Sequence, residues 1–309
     1  MDYSVQLLAS TKQNSLRRRR IIEALWGYVF LLPQLAGLLI FSLIPLVYVF
    51  YLSTVSWDGL GPIQFVGLQN FLNQLAPDSD LRTAIINTSY YVLITVPGSV
   101  ILALLIALGL NKVQGKAVYR VLYFMPYITS SVAVAVIWSW LLNGDFGLIN
   151  ILLRLVFHVQ GPSWLTDQRF VIPSIAIVSI WQGLGFNMVI LLAGLRNLPA
   201  TYAEAARVDG ANRFQLFWRV TLPMLSPIIF LVTVLSIIFS FQVFDQVFVL
   251  TSGGPGKDSY TMVYHIYHQA FEQFQFGSAS ASAVVLFLII LVVTLIQFSL
   301  RNRWVNYEV

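Results

Sequence analysis

The chain has no cysteine, only three histidines, and charged residues at just 10% of its 309 positions. Without cysteine there is neither a disulfide framework nor a thiolate site. Soluble chains run about 25% charged, so this scarcity of charge beside 58% hydrophobic residues excludes an ordinary soluble domain. Internal repeats and low-complexity tracts are also lacking. No His/Asp/Cys cluster lies within an apolar run, which argues against a membrane-embedded enzyme. His265 and His268 stand one turn apart with no third ligand at helical spacing, so no metal site is expected there. Gly256-Lys257 superficially resembles a phosphate loop, but Thr251 takes the place of its first glycine and Asp258 that of its Ser/Thr.

Apolar length is what the sequence has in abundance. A membrane span needs about 20 mostly apolar residues, and six stretches qualify: 26–51, 85–110, 118–142, 171–195, 226–250 and 282–300. The expected fold is all-α, a polytopic membrane protein with six transmembrane helices. After a basic tail at 1–20, the chain reads as a single transmembrane domain over 21–309, with no room for a second folded domain of appreciable size. The first run follows basic residues as a signal peptide would. It is too long and lacks a well-placed small-x-small cleavage site, so it reads as an uncleaved span. With the N-terminus in the cytoplasm, 14 of the 18 Lys and Arg fall inside, and only Arg82, Arg154, Arg169 and Lys257 fall outside. Both termini and the loop 196–223 are then cytoplasmic. The net charge of +5 reports this topology and the contact of Arg17, Arg18, Arg19 and Arg20 with anionic lipid; it does not argue for nucleic acid.

The loop 196–223 is the one long polar segment flanked on both sides by spans. Its charges are mixed, with Arg196, Arg207, Arg213 and Arg219 against Glu204 and Asp209. Thr201-x-x-Glu204 has the spacing of a capping box, and Gly210 falls where a left-handed residue ends a helix. A second short helix through Phe214, Phe217 and Trp218 is expected next, with Pro223 opening the following span. Together these predict a compact helix–turn–helix on the membrane face, a docking surface. Outside, a 13-residue apolar stretch within 143–170 is too short to span and reads as an interfacial helix. The amphipathic, aromatic 260–276 reads the same way.

Polar residues inside the spans are the remaining signal. Tyr127 and Ser131 in the third span suit either helix packing, with hydroxyls bonded to backbone, or the wall of a transport cavity. Ser179, Gln182, Gly183 and Asn187 in the fourth, and Ser236, Ser240 and Gln242 in the fifth, are costly unless they face a partner or a wet cavity. An ion-coupled secondary transporter would need an acid deep in the bilayer. Asp245 is the only candidate, and it is expected near the outer end of its span. A purely structural scaffold would leave these polar residues without a role.

The spacing Glu204-Ala205-Ala206, three residues, Gly210, nine residues, Val220-x-Leu222-Pro223 resembles the cytoplasmic loop of permease subunits of binding-protein-dependent ABC importers, with Val220 at the usual isoleucine position. Further likeness to the carbohydrate branch lies in Phe65-Val-Gly-Leu-Gln-Asn70-Phe71, Arg120 with Pro126, Trp138 and Asn150, Trp181 with Ala193-Gly194-Leu195 and Pro199, and Leu-Thr-x-Gly-Gly-Pro255. The chain looks like the shorter, six-span first permease of maltose- and glycerol-phosphate-type systems, with the type I importer (MetI-like) fold. The resemblance implies a bacterial or archaeal inner-membrane subunit, itself non-catalytic, paired with a second, different permease. Two ATPase subunits would carry ATP and Mg, and an extracytoplasmic protein would deliver the sugar. It implies that Glu204, Ala205, Ala206, Asp209, Gly210, Leu222 and Pro223 couple to an ATPase, Glu204 pairing with a basic residue there or capping its own helix. It also implies sugar-facing positions at Tyr127, Ser131, Ser179, Gln182, Gly183, Phe186, Ser236 and Ser240. Relative to the maltose-type subunit, Ser179 and Ser240 replace asparagines, Gln182 a leucine and Phe186 a tyrosine, so the resemblance implies a sugar as cargo without carrying maltose over to this chain.

Overall fold

The computed structural model describes Glu23 and residues 25–111, 113 and 116–304. The basic tail at 1–20 and Lys112 lie outside the described residues. The chain forms two units, Met1–Leu52 and Ser53–Val309. In the first, helix α1 (Leu25–Leu52) is 28 residues long and apolar enough to cross a membrane. Its turn widens to a π-helical segment at Leu39–Leu43, closed by the Ile44 N–H reaching back to the Leu39 carbonyl. Pro45 follows at once. A proline has no N–H to give, and a widened turn re-spaces the donors ahead of it.

The second unit opens on a short hairpin, β1 (Val55–Ser56) antiparallel to β2 (Gln64–Phe65), with Val55 opposite Phe65. At its turn, the Gly61 and Leu60 amides donate to Asp58 Oδ1 and hold that carboxyl below its ordinary pKa. Helix α2 (Gln69–Gln74) carries Asn70, whose buried Nδ2 donates to the carbonyls of Ser53 at 2.9 Å and Val55 at 2.8 Å. That is the structural work of the asparagine in the 65–71 stretch. Then follow α3 (Asp80–Asn111), α4 (Lys116–Ile128), α5 (Ser131–Leu141), α6 (Leu148–Phe157), α7 (Val171–Asn197), α8 (Ala200–Val208), α9 (Arg213–Phe241), α10 (Asp245–Leu250), α11 (Met262–Tyr267) and α12 (Phe276–Trp304). Of these, α3, α7, α9 and α12 are long and apolar enough to cross a membrane, and α4 with α5 meets the same measure only as a bent pair.

The bundle is built on α3 and α7. Val92 and Val96 of α3 share one core with Ile172, Ile175 and Ala176 of α7. Further along, Ala103 and Ala107 of α3 join Met188, Leu191 and Leu192 of α7, with Leu225 and Val232 of α9. Lipid tails are as apolar as leucine, so helices associate in a membrane by close fit and by polar bonds, and small residues make the fit. At the end nearest β1, Asn87 Nδ2 donates to the Lys257 carbonyl at 2.8 Å, and Thr88 Oγ1 accepts from the Met262 amide at 2.9 Å. Asn150 on α6 donates to the carbonyls of Gly144 and Pro162 and accepts from Trp164 Nε1 at 2.7 Å, tying the 143–170 segment together.

Several boundaries differ from the sequence-based expectation. The third span is bent by 94° between α4 and α5. The bend falls at Ser130, which is extended (φ −52°, ψ 128°) amid hydroxyl residues that offer the backbone alternatives to helical bonds. The fifth span stops at Phe241 rather than 250, and the chain breaks at 242–244 before α10. The sixth begins at Phe276 rather than 282. The 260–276 segment is not an interfacial helix throughout: α11 buries Met262 and His265, the latter only 1% exposed, and continues through a π-helical turn, His268–Glu272. The amphipathic pattern there faces protein.

Candidate functional site

A cavity of ≈ 330 Å³ is lined by α3, the α4–α5 bend, α7, the last turns of α9 and the first turn of α10. All eight positions singled out from the sequence line it: Tyr127, Ser131, Ser179, Gln182, Gly183, Phe186, Ser236 and Ser240. Their convergence has local causes. Gly185 on α7 sits where a Cβ would meet the Tyr123 carbonyl and the Phe124 backbone, so only glycine lets α7 come this close to α4. That approach lays Phe186 on Tyr127, ring centroids 4.8 Å apart and 18° from parallel. Trp181 packs edge-on against Trp138 of α5 at 5.6 Å.

Two sets of polar groups in the wall are bonded to one another. Gln182 Nε2 donates to Ser131 Oγ at 3.3 Å and to the Thr129 carbonyl at 3.4 Å, while its Oε1 accepts from Gln246 Nε2 at 2.9 Å. Asn187 Nδ2 donates to Ser236 Oγ at 3.2 Å, joining α7 to α9. Ser179 donates its hydroxyl proton to the Ile175 carbonyl at 3.0 Å, and Tyr91 is a further hydrogen-bond partner. The wall thus offers hydroxyls, amides and a stacked ring pair.

Sequence reasoning left out part of this wall. Tyr91, Thr95 and Ser99 line the cavity from α3 and recur there every fourth residue, on one face of the helix. Gln246 carried no such mark. Asp245, expected near the outer end of its span, lies just past the break at 242–244 and in the cavity wall. It is the sole charged residue of the lining among the described residues.

The other candidate surface is the 196–223 loop. Helix α8 does not start with the expected box: its N-cap is Pro199, with no side-chain cap bond, and Thr201 is already inside the helix. Pro199 is extended (φ −61°, ψ 128°), which starts the helix two residues earlier than a Thr201 cap requires. The capping box belongs to the next helix, where Asn212 and Gln215 exchange side-chain-to-backbone bonds of 2.9 Å in both directions. Gly210 does hold the left-handed conformation (φ +83°). The Gly210 amide returns to Arg207 O and the Ala211 amide to Ala206 O, the paired bonds of a Schellman turn.

No break separates the expected second short helix from the span. Arg213–Phe241 is one helix with a π-helical turn at Phe217–Thr221, after which Leu222 and Pro223 follow half-buried, repeating the arrangement at Pro45. Glu204, Ala205 and Asp209 are exposed and Ala206 is half-buried. Among the described residues, neither Glu204 nor Asp209 forms an ion pair with the arginines of the loop. Val208 is 88% and Phe214 71% exposed, so apolar and charged groups stand side by side in the open.

His265 and His268 do not build a metal centre. His265 Nε2 lies 3.2 Å from both Gln74 Oε1 and Ser282 Oγ, and burial pushes its pKa down to about 4. Among the described residues no three His, Cys, Asp or Glu gather as ligands.

Residues 84–306 match the family described as "Binding-protein-dependent transport system inner membrane component". The chain belongs to that family. The permease is 38% identical over 304 residues to the "Probable ABC transporter permease protein YesP" of Bacillus subtilis, covering 97% of this chain and 96% of the relative. It is 32% identical to the "Multiple sugar-binding transport system permease protein MsmF" of Streptococcus mutans, over 93% of this chain and 98% of that one. It is 31% identical to the "sn-glycerol-3-phosphate transport system permease protein UgpA" of Agrobacterium fabrum, over 91% and 96%. A chain of a bacterial alginate ABC transporter, crystallised with an alginate pentasaccharide-bound periplasmic protein, superposes with TM-score 0.82 at 22% identity, over 94% of this permease and 99% of that chain. The fold is that of an ABC importer permease, and the ion-coupled alternative falls with it.

Proposed function

We propose that this permease forms one membrane half of an ATP-driven importer and carries a sugar or oligosaccharide through the cavity by alternating access. The observation that carries the reading is the convergence of eight polar, aromatic or glycine positions from three spans on one cavity. Hydroxyls and amides suit the hydroxyls of a saccharide, and the Tyr127–Phe186 pair suits the apolar face of a sugar ring. The relatives named for multiple sugars and for sn-glycerol-3-phosphate support the same class of cargo.

The remaining parts follow. A second, different permease completes the pathway, and two ATPase subunits bind ATP and Mg and do the hydrolysis. The exposed Glu204 and Asp209, the neighbouring apolar side chains and the rigid Gly210 turn supply the surface that docks on an ATPase, with Leu222 and Pro223 passing its movement into α9. Both termini and this loop lie on the cytoplasmic side of a bacterial or archaeal cell membrane, and an extracytoplasmic binding protein delivers cargo to the opposite side. Uptake of a panel of labelled sugars and oligosaccharides, in source cells with and without the gene, tests the reading. Loss of one related group of sugars is expected. Uptake unchanged across the panel, together with no ATPase co-purifying with the permease, refutes it.

A further inference from the structure

The membrane helices of the second unit are interrupted twice beside the cavity, at the α4–α5 bend and at 242–244 between α9 and α10. One side chain joins the two interruptions. Gln182 projects from the continuous helix α7 and is 6% exposed. A primary amide has two N–H donors, and Gln182 aims both at the first interruption, toward the Thr129 carbonyl and Ser131 Oγ. Its oxygen accepts from Gln246, in the first turn of α10. No hydrogen is left over: a cargo oxygen can accept from Gln182 only by displacing one of its protein partners.

We infer that the Gln182–Gln246 pair is a latch that holds the two interruptions together while the cavity is empty, and that cargo opens it by taking over a bond of Gln182. The inference rests on the importer reading above, and it gives Gln182 a second role besides contact with cargo. Two features favour exchange. The donor contacts of 3.3 and 3.4 Å are long for N–H···O bonds and so are weak. Helix α10 has only six residues, too few to be stable alone, so its position depends on such contacts. A ligand shifts a conformational equilibrium only by binding one state better than the other. A sugar hydroxyl that reaches Gln182 only when the latch is open meets that condition. The Asn187–Ser236 bond is different, because it joins two continuous helices and moves neither interruption.

The test uses the assembled complex, both permeases with their ATPases, in proteoliposomes. ATP hydrolysis is measured without sugar and without binding protein. Loss of an ordinary hydrogen bond predicts that Gln182→Leu and Gln246→Leu each raise this cargo-free hydrolysis about three- to tenfold. Because the bond that Gln246→Leu removes is also removed by Gln182→Leu, the double variant is expected to do no more than Gln182→Leu alone. Unchanged hydrolysis in both variants, or effects that multiply, overturns the latch. If a leucine variant fails to assemble, a second measurement uses Gln182→Cys with Gln246→Cys in this cysteine-free chain, with the same reagent on the unsubstituted complex as the control for partner thiols. Bridging the two thiols with a reducible bifunctional reagent is expected to suppress cargo-free hydrolysis below the wild-type level, and reduction to restore it. A bridge that leaves hydrolysis unchanged overturns the inference. A wild-type complex that hydrolyses no ATP under any condition instead removes the importer reading.

Discussion

The cavity wall and the 196–223 loop are both polar, but they treat their polar groups in opposite ways. In the wall, Gln182, Gln246, Ser131, Asn187 and Ser236 are bonded to one another across helices. In the loop, Glu204 and Asp209 are exposed with no ion pair to the loop arginines among the described residues, and Val208 and Phe214 stand in the open beside them. A buried polar group must find partners in its own chain, because leaving it unpaired costs about 1–3 kcal/mol. An exposed one is hydrated and can wait for another molecule. Polar groups of the wall thus already have bonds to exchange, and those of the loop are open to new ones.

The largest effect is expected where the loop is broken. Glu204→Ala combined with Gly210→Asp removes the free carboxylate and puts a side chain at φ +83°, where L residues are strained whatever the space. Truncating one partner of an interfacial charge pair costs about 2–5 kcal/mol, roughly 30- to several-thousandfold in affinity. Uptake is expected to be lost while the permease still inserts in the membrane, read by transport assay beside membrane fractionation. Normal uptake by the double variant would abolish the distinction between wall and loop.

How far these two regions were legible in the sequence follows from the same contrast. Span existence and the Gly210 turn are readable, because apolar length and a glycine at a helix end are local signals; the eight positions that line the cavity were implied by the family resemblance and not by any local pattern. The Thr201 box was misread for a local reason too: Pro199 starts the helix before Thr201 can cap it. What no local signal carried was the path of the chain after Phe241. Residues 226–250 are apolar enough to read as one span, yet the helix stops, and Asp245 and Gln246 turn into the cavity. That turn is fixed by partners more than sixty positions away, such as Gln182. The burial of His265 against Gln74 and Ser282 was hidden in the same way, because its partners are remote and its own segment looks amphipathic.

His265 sharpens the comparison through pH. Its pKa is about 4 in the folded chain, chiefly because burial disfavours the charged ring, against an ordinary value of 6.5. Between those values the unfolded chain binds a proton that the folded chain does not, so stability rises with pH across the window. The contribution is complete above pH 6.5 and is lost as pH falls toward 4, about 3 kcal/mol in all. Thermal unfolding of the detergent-solubilised protein from pH 7.5 to 4 is expected to show the slope, flattened in His265→Gln. An identical slope in that variant would mean the buried side does not set the acid response.

The smallest effect tests which residue caps which helix in the loop. Asn212→Ala removes a side chain that accepts from the Gln215 amide at 2.9 Å, and with it the reciprocal bond from Gln215 to the Asn212 amide. Loss of such a cap costs about 1 kcal/mol, which is local because the rest of α9 is held by its packing. Amide hydrogen exchange over 213–217 is therefore expected to quicken about fivefold. Thr201→Ala is expected to leave exchange over 200–208 within experimental scatter, since no cap bond is lost there and alanine is the better helix former. If the two variants swap these effects, Glu204 is engaged with Thr201 at the start of α8 after all. It would then be an internal cap, and the charge offered to a partner would have to come from Asp209.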